Sequence, residues 1–406
     1  MGKLDRDLRL LFAANFLYGV AFGLFYQIFY VYALGLGASR FTIGVMNAIV
    51  LVSTAAGLLP GAWAASRFRL KPVIVWLWWP LVPCGVIYAF APTWQWLVPG
   101  LVLFGITNAS NPALKAYLVL KSGPQRVARN ITLVFAGYPL GLILAPAAGG
   151  FIADTYGMRA VFIISTVAFA LSATTVSLLH DTPYHVAGEP LRLGSLPHNR
   201  TFRRLLAFFL AGFLAAYLAQ PFLTPFMAQV HHLNYGQLGV YASLGAVGAA
   251  VMGPAMGRVA DLYSARLAAG GVLAFLLVGA VLVAAGNNPA VWGLAFFCYG
   301  SVDALRAVQS GIVGKSFGRV PLAWGFAIFD TVMGVPMAGG SLLGGLLYRQ
   351  SYYLPFVGVV VLTAALLIAL LLWPRLGPSP SPISLRGDAG VMTDGSATTD
   401  VEAGDG

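Results

Sequence analysis

The chain has 406 residues, of which 59% are hydrophobic and only 9% charged, with a formal net charge of +11. A soluble globular domain carries roughly 25% charged residues, so this composition excludes an ordinary water-soluble protein and calls for a surface facing lipid. The positive charges fall in short clusters between apolar runs rather than in one patch, which excludes a nucleic-acid partner and reads as a bilayer pattern.

A hydrocarbon core of about 30 Å needs roughly 20 apolar residues of helix. On that rule the first span covers 10–33, and the run is too long and too aromatic for a cleavable signal. Asn15, Tyr18, Phe22, Phe25 or Tyr26, and Phe29 recur along it at helical spacing, with Gln27 beside them. Such a stripe fits packing, and in a cavity-lining helix it fits an organic, partly apolar solute. Spans follow at 42–64, 72–91 and 95–119, the last carrying Asn108, Asn111 and Lys115. Lys115 stands near the end of its span, where a lysine can snorkel to the interface. The fifth and sixth spans cover 131–152 and 159–179.

A polar stretch, 181–203, then divides residues 1–180 from 204–373 and reads as a linker. The second set of spans is 205–229, 237–257, 267–286, 289–313, 322–347 and 353–373. Residues 374–406 are rich in Pro, Ser, Gly and Asp without apolar periodicity, which predicts a disordered tail. With twelve spans both termini share a side. Placing them in the cytoplasm puts nineteen Lys and Arg inside and three outside, with Lys115 and Arg306 within spans, accounting for all 24. That imbalance orients the chain with both termini cytoplasmic.

Of thirteen carboxylates, only Asp303 and Asp330 fall near a span's middle. A charge at the bilayer centre costs about 2.5–3.5 kcal/mol on insertion scales, so such residues face a cavity or one another. Asp303 and Arg306 are three apart and share a helix face, which predicts a cluster with Arg306 between Asp303 and Asp330. It reads either as a self-neutralising structural bridge or as a site for substrate or proton. A carboxylate parted from its cation in low dielectric has its pKa raised and can take a proton. Gln27 and Gln220 can hydrogen-bond a polar solute or brace helices. No Walker loop, catalytic triad or metal-ligand spacing is present, so neither an enzyme nor a cofactor is expected.

The halves repeat at a shift of about 195 residues: Lys121-Ser122 meets Lys315-Ser316, and Gly149-Gly150 meets Gly344-Gly345. Gln27 meets Gln220 at a slightly smaller shift, and the segment Ala62 to Pro72 meets Gly257 to Arg266. The segment Gly257-x-x-x-Asp261 with Arg266 resembles the loop motif of the major facilitator superfamily, over about residues 8–373. In the first copy, Ser66 replaces the usual Asp and Ala62 the usual Gly, ahead of Arg67 and Lys71. Gly141 to Gly150, with Ala145-Pro146 and Gly149-Gly150, is similar to a fifth-span signature of the family's exporters. It fits either close helix packing or an exporter's kink and seal. The fourth-span Arg of many proton-coupled exporters is Leu101 here.

The resemblance implies an all-α integral membrane protein, twelve transmembrane helices in two pseudo-symmetric six-helix bundles around a central cavity, with Asp261 and its neighbours at a cytoplasmic gate. It implies a monomeric secondary transporter of the plasma membrane, working by alternating access on a small-molecule substrate. The expected activity is proton-coupled export of organic solutes, with Asp303, Arg306, Asp330, Gln27, Gln220, Tyr26, Asn108, Asn111 and Lys115 in the cavity. Uptake of a polar solute such as a sugar, bound by Gln27, Gln220, Asn108 and Asn111, is the alternative, and a non-transporting sensor a remote one.

Overall fold

The computed structural model describes residues 5–122, 127–181, 200–316 and 322–372. Most of the expected linker and the whole tail, 374–406, lie outside these. The described chain is nearly all helix: α1 Arg6–Gly35, α2 Arg40–Arg67, α3 Leu70–Ala89, α4 Trp94–Ser122, α5 Arg129–Tyr156, α6 Met158–Ser177, α7 Leu206–Val230, α8 Tyr235–Leu262 and α9 Ala265–Ala285. They are followed by α10, Pro289–Tyr299 continued by Ser301–Ser316, α11 Leu322–Gln350 and α12 Leu354–Leu372.

Eleven of these, all but α10, contain a stretch long and apolar enough to cross a membrane, counted among the described residues. The expected tenth span, 289–313, is the exception, and it carries Asp303 and Arg306.

Five helices are broken in mid-course, which apolar periodicity alone does not reveal. α5 breaks at Ala136, between Phe135 and Gly137. α3 breaks at Trp79-Pro80, where proline supplies no backbone donor. α4 tightens into a 3₁₀ turn at Asn108–Ser110, just before Pro112. α7 does so at Gln220–Phe222, around Pro221. In α10 the break is Gly300, whose missing side chain admits the backbone of Gly248 and Ala249 on α8.

Hydrogen bonds fix which helix ends lie together. Buried Asp7 at the start of α1 holds Lys121 at 2.8 Å, the Tyr117 hydroxyl at 2.8 Å and His180 Nδ1 at 2.9 Å, so α1 begins where α4 and α6 finish. Arg266, opening α9, donates to the Leu370 and Leu371 carbonyls that end α12. This is the terminal end of the molecule. At the far end, Arg40 at the start of α2 bonds and stacks on Tyr352, between α11 and α12. Ser39, Asn234, Ser264 and Asn288 cap the helices that follow them, Asn234 in a reciprocal box with Gln237.

The two halves meet along two seams, α2 with α11 and α5 with α8. At the far end of the first, the Tyr30 hydroxyl donates to Asn47 Oδ1 at 2.8 Å, and Asn47 Nδ2 donates to Ser341 Oγ at 2.7 Å, all three residues buried. At the far end of the second, Asp154 accepts the backbone N–H groups of Tyr235, 3.0 Å, and Gly236, 2.7 Å. The carboxylate of one half thus caps the first turn of α8 in the other, where the helix dipole favours negative charge.

Candidate functional site

A cavity of about 260 Å³ lies between the halves, in their terminal-end portion. The amino-terminal half contributes most of its wall. α1 supplies Asn15 and Tyr18, one turn apart, and α3 supplies Trp78 and Leu81 from either side of its break. The 3₁₀ turn of α4 brings Thr107, Asn108, Ser110 and Asn111 to the cavity, and α5 adds Phe135 and Tyr138. From the other half comes Arg306 on α10.

The aromatic wall is fixed by its neighbours. Tyr18 stands 5.8 Å from Trp78 edge-on and 5.6 Å from Tyr138, centroid to centroid. The Trp78 indole N–H donates to Ser172 at 3.0 Å, and Ser172 donates to the Ala14 carbonyl at 2.8 Å, which ties the ring to α6 and α1. Asn15 Nδ2 donates to the Leu11 carbonyl at 2.8 Å and Asn108 Nδ2 to the Phe104 carbonyl at 3.3 Å. Their side-chain oxygens remain as acceptors. On the outer side of the same 3₁₀ turn, Ala109 helps line an apolar groove of about 520 Å³ with Gly57, Trp63, Val73 and Trp76.

Arg306 is exposed to the cavity although it sits at mid-bundle. Its Nη2 donates to the Tyr217 hydroxyl and lies 3.9 Å from Met337 Sδ. Among the described residues no carboxylate comes within 4.0 Å of it, so the expected bridge between Asp303 and Asp330 is not formed in this conformation. Both carboxylates, with Tyr26, stay within electrostatic reach of the guanidinium. Asp303 is exposed and lies within electrostatic range of Tyr26, Tyr138 and Tyr217. Asp330 is half-buried, within electrostatic reach of Lys115 on α4, across the junction of the halves, and of Arg306.

Gln27 and Gln220 are not among the residues lining the cavity, and each bonds at the junction of α1 and α7. The Gln27 carbonyl accepts Thr224 Oγ1, and the Gln220 amide lies beside the Tyr26 hydroxyl while its Oε1 is enclosed without a hydrogen-bond partner.

The loop motifs sit at the terminal end. Ser66 donates to the Trp63 carbonyl at 2.7 Å, and Arg67 lies over the Trp63 ring at 5.7 Å. Lys71 is half-buried in the first turn of α3, and Asp261 is exposed. Among the described residues, nothing lies within 4 Å of where a Gly257 side chain would begin. In the α5 segment, Gly141 and Gly149 seat against α1, while Pro146 and Gly150 meet Gly239 and Tyr235 of α8.

Sequence reasoning missed several contributors, Tyr217, Trp78 and Tyr138 among them. Tyr217 lies three residues before Gln220 and shares its helix face, a spacing that points to it. Trp78 and Tyr138 enter beside irregular backbone, where no periodic signal marks them. The Asp7 cluster was equally hidden, because acidic residues near a chain start read as solvated. No group of three potential metal ligands exists among the described residues.

The family model "Major Facilitator Superfamily" matches residues 11–305 and 205–397. The chain is 23% identical over 370 residues to the "Multi-drug resistance efflux pump PmrA" of Streptococcus pneumoniae, covering 86% of this chain and 92% of that one. Among solved structures it resembles the nucleoside transporter NupG (D323A mutant), with TM-score 0.69 and 14% identity, over 90% of this chain and 99% of that one. It also resembles a bacterial homologue of the human lysosomal transporter Spinster, in an inward-facing and unoccupied conformation, with TM-score 0.66 and 17% identity, over 92% and 98%. Members of this family carry small molecules across lipid bilayers, and the chain belongs to the Major Facilitator Superfamily.

Proposed function

We propose that the protein is a secondary transporter of the plasma membrane that exports small organic solutes in exchange for protons, by alternating access. The cavity carries this reading: amides, aromatic rings and one guanidinium gathered at mid-bundle, between halves that are held together at the far end. The efflux activity in the name of the pneumococcal relative supports the direction. The lysine and arginine imbalance supports cytoplasmic termini; on that placement the terminal end is cytoplasmic and the conformation is inward-facing. The halves then rock about the site to expose it on the other side.

Asp330 and Asp303 are the proton carriers in this scheme. Asp330 faces Lys115 across the junction, so rocking changes their separation. A carboxylate drawn away from its cation in low dielectric takes a proton, and returning to the cation releases it. One chain supplies both walls of the cavity, so a monomer suffices.

The test is transport in proteoliposomes with an imposed pH gradient, comparing the wild type with Asp303→Asn and Asp330→Asn. The expected result is that at least one substitution abolishes stimulation by the gradient. Transport that persists with unchanged pH dependence in both variants excludes proton exchange through these groups.

A further inference from the structure

We infer that the cavity takes a small organic anion: a carboxylate, or an acidic group of similar size, on a one- or two-ring aromatic body, with the acid against Arg306. This rests on the transporter reading and adds the chemical class of its solute.

Arg306 is the one charged side chain among the residues lining the cavity. A guanidinium offers five N–H donors in a fork that matches a carboxylate. Here Tyr217 and the Met337 sulfur are its neighbours, and no described carboxylate reaches ion-pair distance. The side chain is exposed into the cavity, so donors remain for a solute. A bidentate carboxylate would satisfy them and neutralise the charge.

The rest of the wall sets the body of the solute. Tyr18, Trp78, Phe135 and Tyr138 present flat apolar surface, and the Asn15 and Asn108 oxygens can accept from a ring hydroxyl or amine. Aromatic faces alone favour cations. In this cavity, however, a cation would share the space with Arg306 and find no carboxylate among the lining residues, and like charges a few ångströms apart repel. A volume of about 260 Å³ lies below the 300–1,000 Å³ of drug-sized pockets, which limits the solute to one or two rings. Asp303, three residues before Arg306, lowers the local positive potential from a distance.

The experiment is calorimetric titration of the full-length protein in lipid nanodiscs with 2-naphthoate, 2-naphthylmethanol and 2-naphthylmethylammonium, three probes of nearly one shape. Naphthoate should bind at least tenfold more tightly than the ammonium, with the alcohol between. Arg306→Gln should remove the anion preference while alcohol binding persists. Arg306→Lys should keep the preference with weaker binding, and Asp303→Asn should tighten naphthoate. Unchanged binding of the alcohol verifies that each variant retains its cavity. Ammonium binding as tight as naphthoate, naphthoate affinity unaffected by Arg306→Gln, or no binding of any probe at millimolar concentration would overturn the inference. Proteoliposome counterflow of naphthoate separates the two readings. Binding without transport sinks the transporter proposal alone, and ammonium transport unaffected by Arg306→Gln sinks the anion assignment alone.

Discussion

The two seams between the halves are built differently. Along α2 and α11 contact runs the length of the helices: Asn47 with Ser341 at the far end, Ala55 with Thr331 and Gly334 at mid-course, and Leu58 and Ala62 with Ala327 beyond. Along α5 and α8 the contact is concentrated at the far end, where Asp154 caps α8, Gly150 meets Tyr235, and Ser243 Oγ accepts the Ala147 N–H at 3.2 Å. Gly253 and Gly257 continue the face of Gly239 and Ser243 by helical period, yet among the described residues nothing lies within 4 Å of where their side chains would begin. On the proposed alternating-access reading, one seam is a long hinge and the other a latch. Access at the terminal end then depends on parting α5 from α8 while α2 and α11 stay in register.

The sharpest way to break this comparison is to wedge the latch. In Gly150→Leu the new side chain runs into the Tyr235 carbonyl, and overpacking costs about 1–3 kcal/mol. Transport should fall at least tenfold, and a single cysteine near Tyr235 should become reactive to a membrane-impermeant maleimide. Cutting the hinge comes next. Ser341→Ala leaves the buried Asn47 amide without its acceptor, a loss of about 1–3 kcal/mol, which should appear as a lower melting temperature of the purified protein.

Asp154→Ala removes the shared cap of α8 and should cost about 1 kcal/mol, near fivefold in the balance between closed and open far ends. Spin-label distances across the far end read that shift directly. Gly257→Ala should have the least effect on this conformation, since its surroundings are empty; melting should be unchanged or slightly raised by helix propensity. Slower turnover in that variant would place Gly257 in the closed form of the terminal end.

Much of the architecture is legible in sequence because hydrocarbon imposes a length and an apolarity that each span declares. Asp303 and Arg306 stood out for the same reason, as ionic groups where none is tolerated cheaply. Their partners did not. Arg306 meets Tyr217 where α10 packs against α7, and Asp330 comes within electrostatic reach of Lys115 where α11 meets α4. The first pairing lies within the second half and the second joins the halves; both depend on tertiary contact, which no local pattern encodes. The opening of the fold around Asp7 was hidden for a related reason, since His180 and Lys121 reach it from 173 and 114 residues away.

The 3₁₀ turn at Asn108–Ser110 makes the partition between cavity and bilayer a single layer of backbone, with Asn108 on one side and Ala109 on the other. Such turns hold their hydrogen bonds less well than an α-helix and serve as joints. On the transporter reading, hydrocarbon tails against the outer groove and a solute in the cavity press on opposite faces of this turn. Thicker or stiffer lipid should then change solute affinity at the site before it is felt at either seam.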